Sequence, residues 1–186
     1  MFKLKPKFPL GAFTKEWPGF SLAESYTGEL ISVAYKLEEE EEEEFVTNFA
    51  AALGGAIPKP NQMTAIDGGV AIWSGQDQYM LLLSEENVHA DEDVSEKLGG
   101  AAYTTLQSDG WASLSIKGER ALDVLERFIP LDLRGAPNNF AARTSAHHIA
   151  VIVLKFSDTQ LQLLTPRSSS QSFLEGLEHV AENVLS

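Results

Sequence analysis

The stretch Ser108–Leu133, SDGWASLSIKGERALDVLERFIPLDL, decides how the chain is read. It opens on turn residues, alternates Ala112, Leu114 and Ile116 with Ser113 and Ser115 as a strand does, pauses at Gly118 and stops at Pro130. Between Glu119 and Ile129 a helix would put Ala121, Leu122, Leu125, Phe128 and Ile129 on one face. Glu119, Arg120, Asp123, Glu126 and Arg127 would take the other, the pattern of a helix packed on a core. A strand running through glycine into a helix also opens many phosphate and dinucleotide sites. Here one glycine satisfies neither G-x-G-x-x-G nor G-x-x-x-x-G-K-[ST], and Glu119 sets a carboxylate where an anion would bind. Gly118 is therefore expected to serve a tight turn and not a ligand loop.

Working outward, the same grammar recurs. Toward the N-terminus lie an alternating segment from Leu30 to Leu37, a helix ending at Leu53 before Gly54-Gly55, and a loop over Ile57 to Asn61. Val70 to Trp73 and Tyr79 to Leu83 then read as a hairpin around Ser74 to Gln78, and a short helix over Asp91 to Leu98 closes at Gly99-Gly100. Tyr103 to Gln107 and Trp111 to Ile116 read as strands. After the Glu119 helix come a hairpin, Ile149 to Phe156 and Gln160 to Leu164, and a last helix from Ser169 to Leu185. The second half reads strand, strand, helix, strand, strand, helix, and the first half follows that order from its second strand onward. This predicts an α+β fold of two similar lobes, 21–100 and 101–186, in which helices cover antiparallel sheets. Residues 1–20, MFKLKPKFPLGAFTKEWPGF, have no periodicity and mix Phe2, Phe8, Phe13 and Trp17 with lysines and prolines. They are expected to form an extended arm lying against this domain or another chain.

Composition excludes several function classes. The chain has 186 residues and no cysteine, which removes thiol nucleophiles, disulfides and cysteine metal sites. Its net charge of −13 argues against nucleic acid as a partner. Seven of the acidic residues form the run Glu38 to Glu44, read as the solvated start of the first helix, where carboxylates favour the positive end of the helix dipole. No apolar run approaches the ~20 residues of a membrane span. Lys3, Lys5, Lys7, Pro6 and Pro9 interrupt what a signal peptide would need, so a cytoplasmic location is the expectation.

No catalytic set emerges. His89, His147, His148 and His179 lack metal-ligand spacing, and His147-His148, read as part of a strand, would point to opposite faces. There is no G-x-S-x-G turn. Ser168, Ser169 and Ser170 stand where a helix needs its N-cap, though a phosphate held there with Arg167 is the sharper alternative. Asp91, Glu92 and Asp93 sit at a helix start and read as solvated.

Taken together, several motifs resemble the gamma subunit of heterotetrameric sarcosine oxidase. They are Leu53-Gly54 with Ile57-Pro58-Lys59-Pro60-Asn61, the hairpin from Ala71 through Trp73, Gly75, Asp77 and Tyr79 to Leu83, and Ser108-Asp109-Gly110-Trp111. Gly118 to Leu133, Ala142-Arg143-Thr144 and Leu163 to Ser168 complete the set, which covers about residues 50 to 180. The resemblance implies the fold of folate-dependent aminomethyltransferases and a structural role, without a cofactor in this chain. It implies alpha, beta and delta subunits as partners, chiefly alpha, which carry FAD, FMN, NAD and zinc, oxidise sarcosine and pass the one-carbon unit to tetrahydrofolate. Within it Trp17, Trp111, Arg143 and Arg167 are interface or folate candidates. Two features depart from the family pattern. The glutamate run is not part of it, and Ile149 and Ala150 stand where the aminomethyltransferases place an acidic residue before a strand. An apolar pair cannot take a proton, which argues against one-carbon transfer by this chain. The alternative reading is a stand-alone folate-binding enzyme or repair protein of the aminomethyltransferase kind.

Overall fold

Short alternating segments build eleven strands, and longer amphipathic ones build four helices, in a computed structural model that describes residues 8–25, 28–35, 39–84 and 89–186, excepting the side chains of 39–44. Phe2, Lys3, Lys5, Lys7 and Glu38 lie outside the described residues. In chain order the strands are β1 (Thr14–Trp17), β2 (Phe20–Glu24), β3 (Glu29–Tyr35), β4 (Met63–Ile66), β5 (Gly69–Gly75), β6 (Gln78–Leu83), β7 (Ala102–Leu106), β8 (Trp111–Lys117), β9 (Ala141–Ala146), β10 (Ile149–Ser157) and β11 (Gln160–Pro166). The helices are α1 (Glu39–Leu53), α2 (Ala90–Lys97), α3 (Ala121–Phe128) and α4 (Ser170–Leu185). No described helix is long and apolar enough to cross a membrane.

The fold class is α+β, with two antiparallel sheets, ordered β1-β2-β8-β11-β10-β9 and β4-β5-β6-β3-β7. They belong to two units. The first comprises the described residues of Met1–Tyr26, Gly110–Asn138 and Arg143–Ser186, the second those of Thr27–Asp109 and Asn139–Ala142. This division differs from the expected boundary near residue 100, and the described part of the expected extended arm does lie against this domain, as paired strand. β1 and β2 form a hairpin, and β2 pairs with β8 through Leu22↔Ile116, so the N-terminal segment completes the sheet of the C-terminal half.

The expected repeat exists, one strand longer than the sequence suggests. In each unit a strand leads into a helix, a three-stranded meander follows, the last meander strand pairs with the first strand, and a helix ends the motif. This describes β3-α1-β4-β5-β6-α2 and equally β8-α3-β9-β10-β11-α4. On the free side of the leading strand, β7 occupies in the second sheet the place that β2 takes in the first.

Core formation follows the patterns. In the second unit Phe45, Phe49 and Leu53 recur every fourth residue along α1 and are buried with Ile31, Val33, Ala71 and Leu81 of the sheet and Val94 of α2. Phe45 stacks on Tyr35 and Tyr79 with ring centroids 5.1 and 5.8 Å away. In the first unit α3 buries Ala121, Leu122, Val124, Leu125 and Phe128, and Phe128 meets Phe173 of α4 edge-on at 5.1 Å. Each such ring is worth about 1.5–3 kcal/mol over its exposed state. In β10, Val151 to Leu154 are all buried, so both faces of that strand are covered, as its unbroken apolar run suggests. His147 and His148 are not strand residues. They form the two-residue turn between β9 and β10, both with positive φ (49° and 66°), as the tightest hairpin turn requires.

Candidate functional site

The start of α3 answers the question raised by Gly118. Its φ is +124°, and a methyl group there would lie 2.2 Å from the carbonyl oxygen of Gly19 in the β1–β2 turn. The same Gly19 carbonyl accepts from the Arg120 amide at 3.0 Å, and the Gly118 amide donates to the Thr159 carbonyl at 2.9 Å. Donors that could have faced a phosphate are spent on backbone. Gly118 is thus a close-approach glycine, a packing reason that the tight-turn expectation did not name.

The serines before α4 behave differently from the expectation. None caps the helix through its side chain. Buried Ser170 instead donates its hydroxyl to the Arg167 carbonyl at 2.9 Å, closing the short 3₁₀ turn Arg167–Ser169. Ser170 is nearly inaccessible, so its hydroxyl does better with a carbonyl than as a solvent-side cap.

Charged side chains collect along α3 and α4. A cleft of about 690 Å³ is lined by Arg120, Asp123, Glu126, Arg127, Val180, Asn183 and Val184. Arg120 reaches Asp123 at 3.2 Å and donates to the Val184 carbonyl at 3.0 Å, closing the C-terminal end of α4. Arg134 bridges Asp123 at 2.9 Å and Glu126 at 3.1 Å. The hydrogen bond from Arg120, then that from Arg134, holds the Asp123 carboxyl below its ordinary range. A carboxylate so held stays ionised, and through Arg120 it helps to tie the start of α3 to the end of α4. Across the same unit Lys15 of β1 binds Glu178 at 3.0 Å and Glu182 at 2.7 Å on α4.

The buried polar residues are also structural anchors. Lys155, 1% exposed, donates to the Leu133 and Ala136 carbonyls at 2.8 and 2.7 Å and pairs with Asp158 at 2.7 Å, so all three of its protons are placed. Glu24 accepts from the amides of Leu10 and Ala12, both at 2.8 Å. Glu29 accepts from the Ser108 hydroxyl, which in turn accepts from the Leu30 amide at 3.0 Å. The one sequence signal for such an anchor is Lys155, the single charge in the apolar strand IAVIVLKFS. Glu24 and Glu29 stand at strand ends with nothing local to mark them. Among the described residues no three His, Asp or Glu side chains come together as a metal-binding group.

No family model matches the chain. No curated protein sequence matches it either. A chain of the heterotetrameric sarcosine oxidase from Corynebacterium sp. U-96, solved with pyrrole 2-carboxylate, superposes with a TM-score of 0.79 at 20% identity, over 95% of this chain and 91% of that one. This chain has that fold. The glycine cleavage system aminomethyltransferase T from Bartonella henselae shares it with a TM-score of 0.65 and 14% identity, over 86% of this chain but 45% of the enzyme. The chain thus spans under half the length of that aminomethyltransferase.

Within the fold shared with the sarcosine oxidase chain, the four candidate residues do not converge. Trp17 ends β1, half-buried against Phe20 at 5.5 Å and under the Lys15 ammonium at 4.8 Å. Trp111 begins β8 opposite Pro166 and so shares one end of the sheet with exposed Arg167. Trp17 belongs to the other end, because β2 meets β8 from Lys117 downward. Arg143 is exposed on β9, the edge opposite β1, so about five strand spacings of ~4.8 Å separate those strands. Ile149 and Ala150 lie inside β10 and not before it, since the strand starts at Ile149.

Proposed function

We propose that this chain is a non-catalytic, gamma-type subunit of a heterotetrameric sarcosine oxidase complex, assembling chiefly with the alpha subunit alongside beta and delta. The observation that carries the reading is the two-way match of length. The chain spans nearly all of one chain of a sarcosine-oxidising heterotetramer, yet less than half of a free-standing aminomethyltransferase that shares the fold. Its charged clusters support the same reading, because Asp123, Arg120, Arg134, Lys155 and Glu24 are committed to internal clamps. In this role FAD, FMN, NAD, zinc and tetrahydrofolate belong to the partner subunits. This chain supplies a folded surface. The test is co-purification of the full-length tagged chain from its native cell. Flavin-bearing chains in fixed proportion support the reading; a colourless, lone chain contradicts it.

A second reading, a folate-binding enzyme of the aminomethyltransferase kind, draws on the shared fold. It is separated by calorimetry of the purified chain with tetrahydrofolate. We expect no heat of binding, because Arg143 and Arg167, the two guanidinium candidates, are both exposed and stand apart, one on the edge strand β9 and the other in the turn after β11.

A further inference from the structure

One strand edge is unlike the others. Sheet edges expose backbone donors and acceptors, and proteins blunt them with charge, proline, brevity or a covering element. β1 is four residues long and carries Lys15 and Glu16; β4 is also four; β9 carries Arg143. β7, Ala102–Leu106 with the sequence AYTTL, has no charge, proline or glycine. Its inner side pairs with β3 from Ala102↔Tyr35 to Leu106↔Ile31. The Gln107 amide donates to the Leu30 carbonyl at 2.7 Å, which fixes the alternation: Tyr103 and Thr105 bond toward β3, while Ala102, Thr104 and Leu106 turn their amides and carbonyls outward. Among the described residues no strand pairs with that outer side.

The other sheet shows the completed arrangement. There β2 holds the place of β7, and β1 covers its outer side as an antiparallel strand. Charge says what kind of strand fits at β7. The segments of the second unit hold 3 of the 14 basic and 17 of the 27 acidic residues, a net −14, leaving 11 basic and 10 acidic for the first unit. The acidic first turn of α2, Asp91, Glu92 and Asp93, lies beside the edge, because the Thr104 hydroxyl donates to the Asp91 carbonyl at 2.8 Å. A second copy of the chain would bring two such units together, which like-charge repulsion opposes. A basic strand is attracted.

We propose that the outer side of β7 is a docking site for an extended, lysine- or arginine-flanked segment of a partner subunit, which adds as an antiparallel strand and meets the acidic start of α2. The inference rests on the assembly reading above. Recognition is by backbone hydrogen bonds, with charge supplying orientation and salt dependence.

The test uses the full-length chain, free and in the complex purified from its native cell. Amide exchange over residues 102–106 slows by about tenfold or more in the complex. Thr104→Pro removes one outward amide at a position where an edge strand tolerates proline, and it weakens assembly about tenfold, while Thr104→Ser, which keeps both the amide and the hydroxyl bonded to Asp91, assembles nearly as wild type. Circular dichroism confirms that both variants fold; should Thr104→Pro fail to, the exchange measurement alone decides. A complex that forms with unchanged exchange at 102–106 overturns the edge proposal and leaves the assembly reading standing. Absence of any complex overturns both, and protection arising from self-association overturns the choice of partner.

Discussion

A methyl group at Gly118 has nowhere to go: the Gly19 carbonyl is 2.2 Å from its position, and φ of +124° is hostile to any side chain. Gly118→Ala should therefore destabilise the fold by about 2 kcal/mol or more, read from the denaturant midpoint. Lys155 poses the sharper contrast. Replacing it with Met strands the buried Leu133 carbonyl and the part-buried Ala136 carbonyl, at about 2–5 kcal/mol. Its ion-pair partner Asp158 has a side chain 68% exposed, so Asp158→Asn should cost under about 1 kcal/mol. If the two variants lose similar stability, the carbonyls are not what holds this lysine.

Between elements, the Lys15 bridge from β1 to α4 makes a pH prediction. Hydrogen bonds to Glu182 and then Glu178 raise the Lys15 ammonium above its ordinary value, and the Lys15 bond lowers the Glu182 carboxyl. The lysine contribution is present below the ordinary lysine range and fades as pH rises through the raised value. The carboxylate contributions of Glu182 and Asp123 are present above the ordinary carboxylate range and fade as pH falls through their lowered values. Lys15→Met should thus reduce stability by a small, constant amount across neutral pH, the difference vanishing in acid and in strong alkali; urea midpoints at several pH values check it. Elements with strong periodicity were legible from sequence. The apolar face of α3, the hairpin β10–β11 and the extent of α4 agree with the residues that mark them, because burial there follows a 3.6- or 2-residue period. β4 and β9 escaped, being MTAI and AARTSA, short runs of small or mixed residues whose pairing is decided by neighbouring strands. The β1–β2 hairpin escaped because Pro6, Pro9 and Pro18 read as irregular chain, and long-range pairing with β8 has no local signature.

At the scale of the molecule, nearly all net charge belongs to one unit: −14 against +1. Self-repulsion of this kind is screened by salt, so moderate concentrations of an inert salt should raise the denaturation midpoint, while weakening any charge-guided assembly. The repeat of strand, helix, meander and helix was legible in order but not in extent, and the candidates Trp17, Trp111, Arg143 and Arg167 were legible as residues but not as a site, because sequence order says nothing of which sheet edge each will reach. On the proposed reading, folding here produces a surface for partners and not a reaction centre. Size-exclusion chromatography of the tagged full-length chain from its native cell, read at a visible flavin band, tests this most directly. We predict that the chain elutes in a large, yellow complex in equal proportion to flavin-bearing subunits; elution as a colourless species that alone demethylates sarcosine would contradict it.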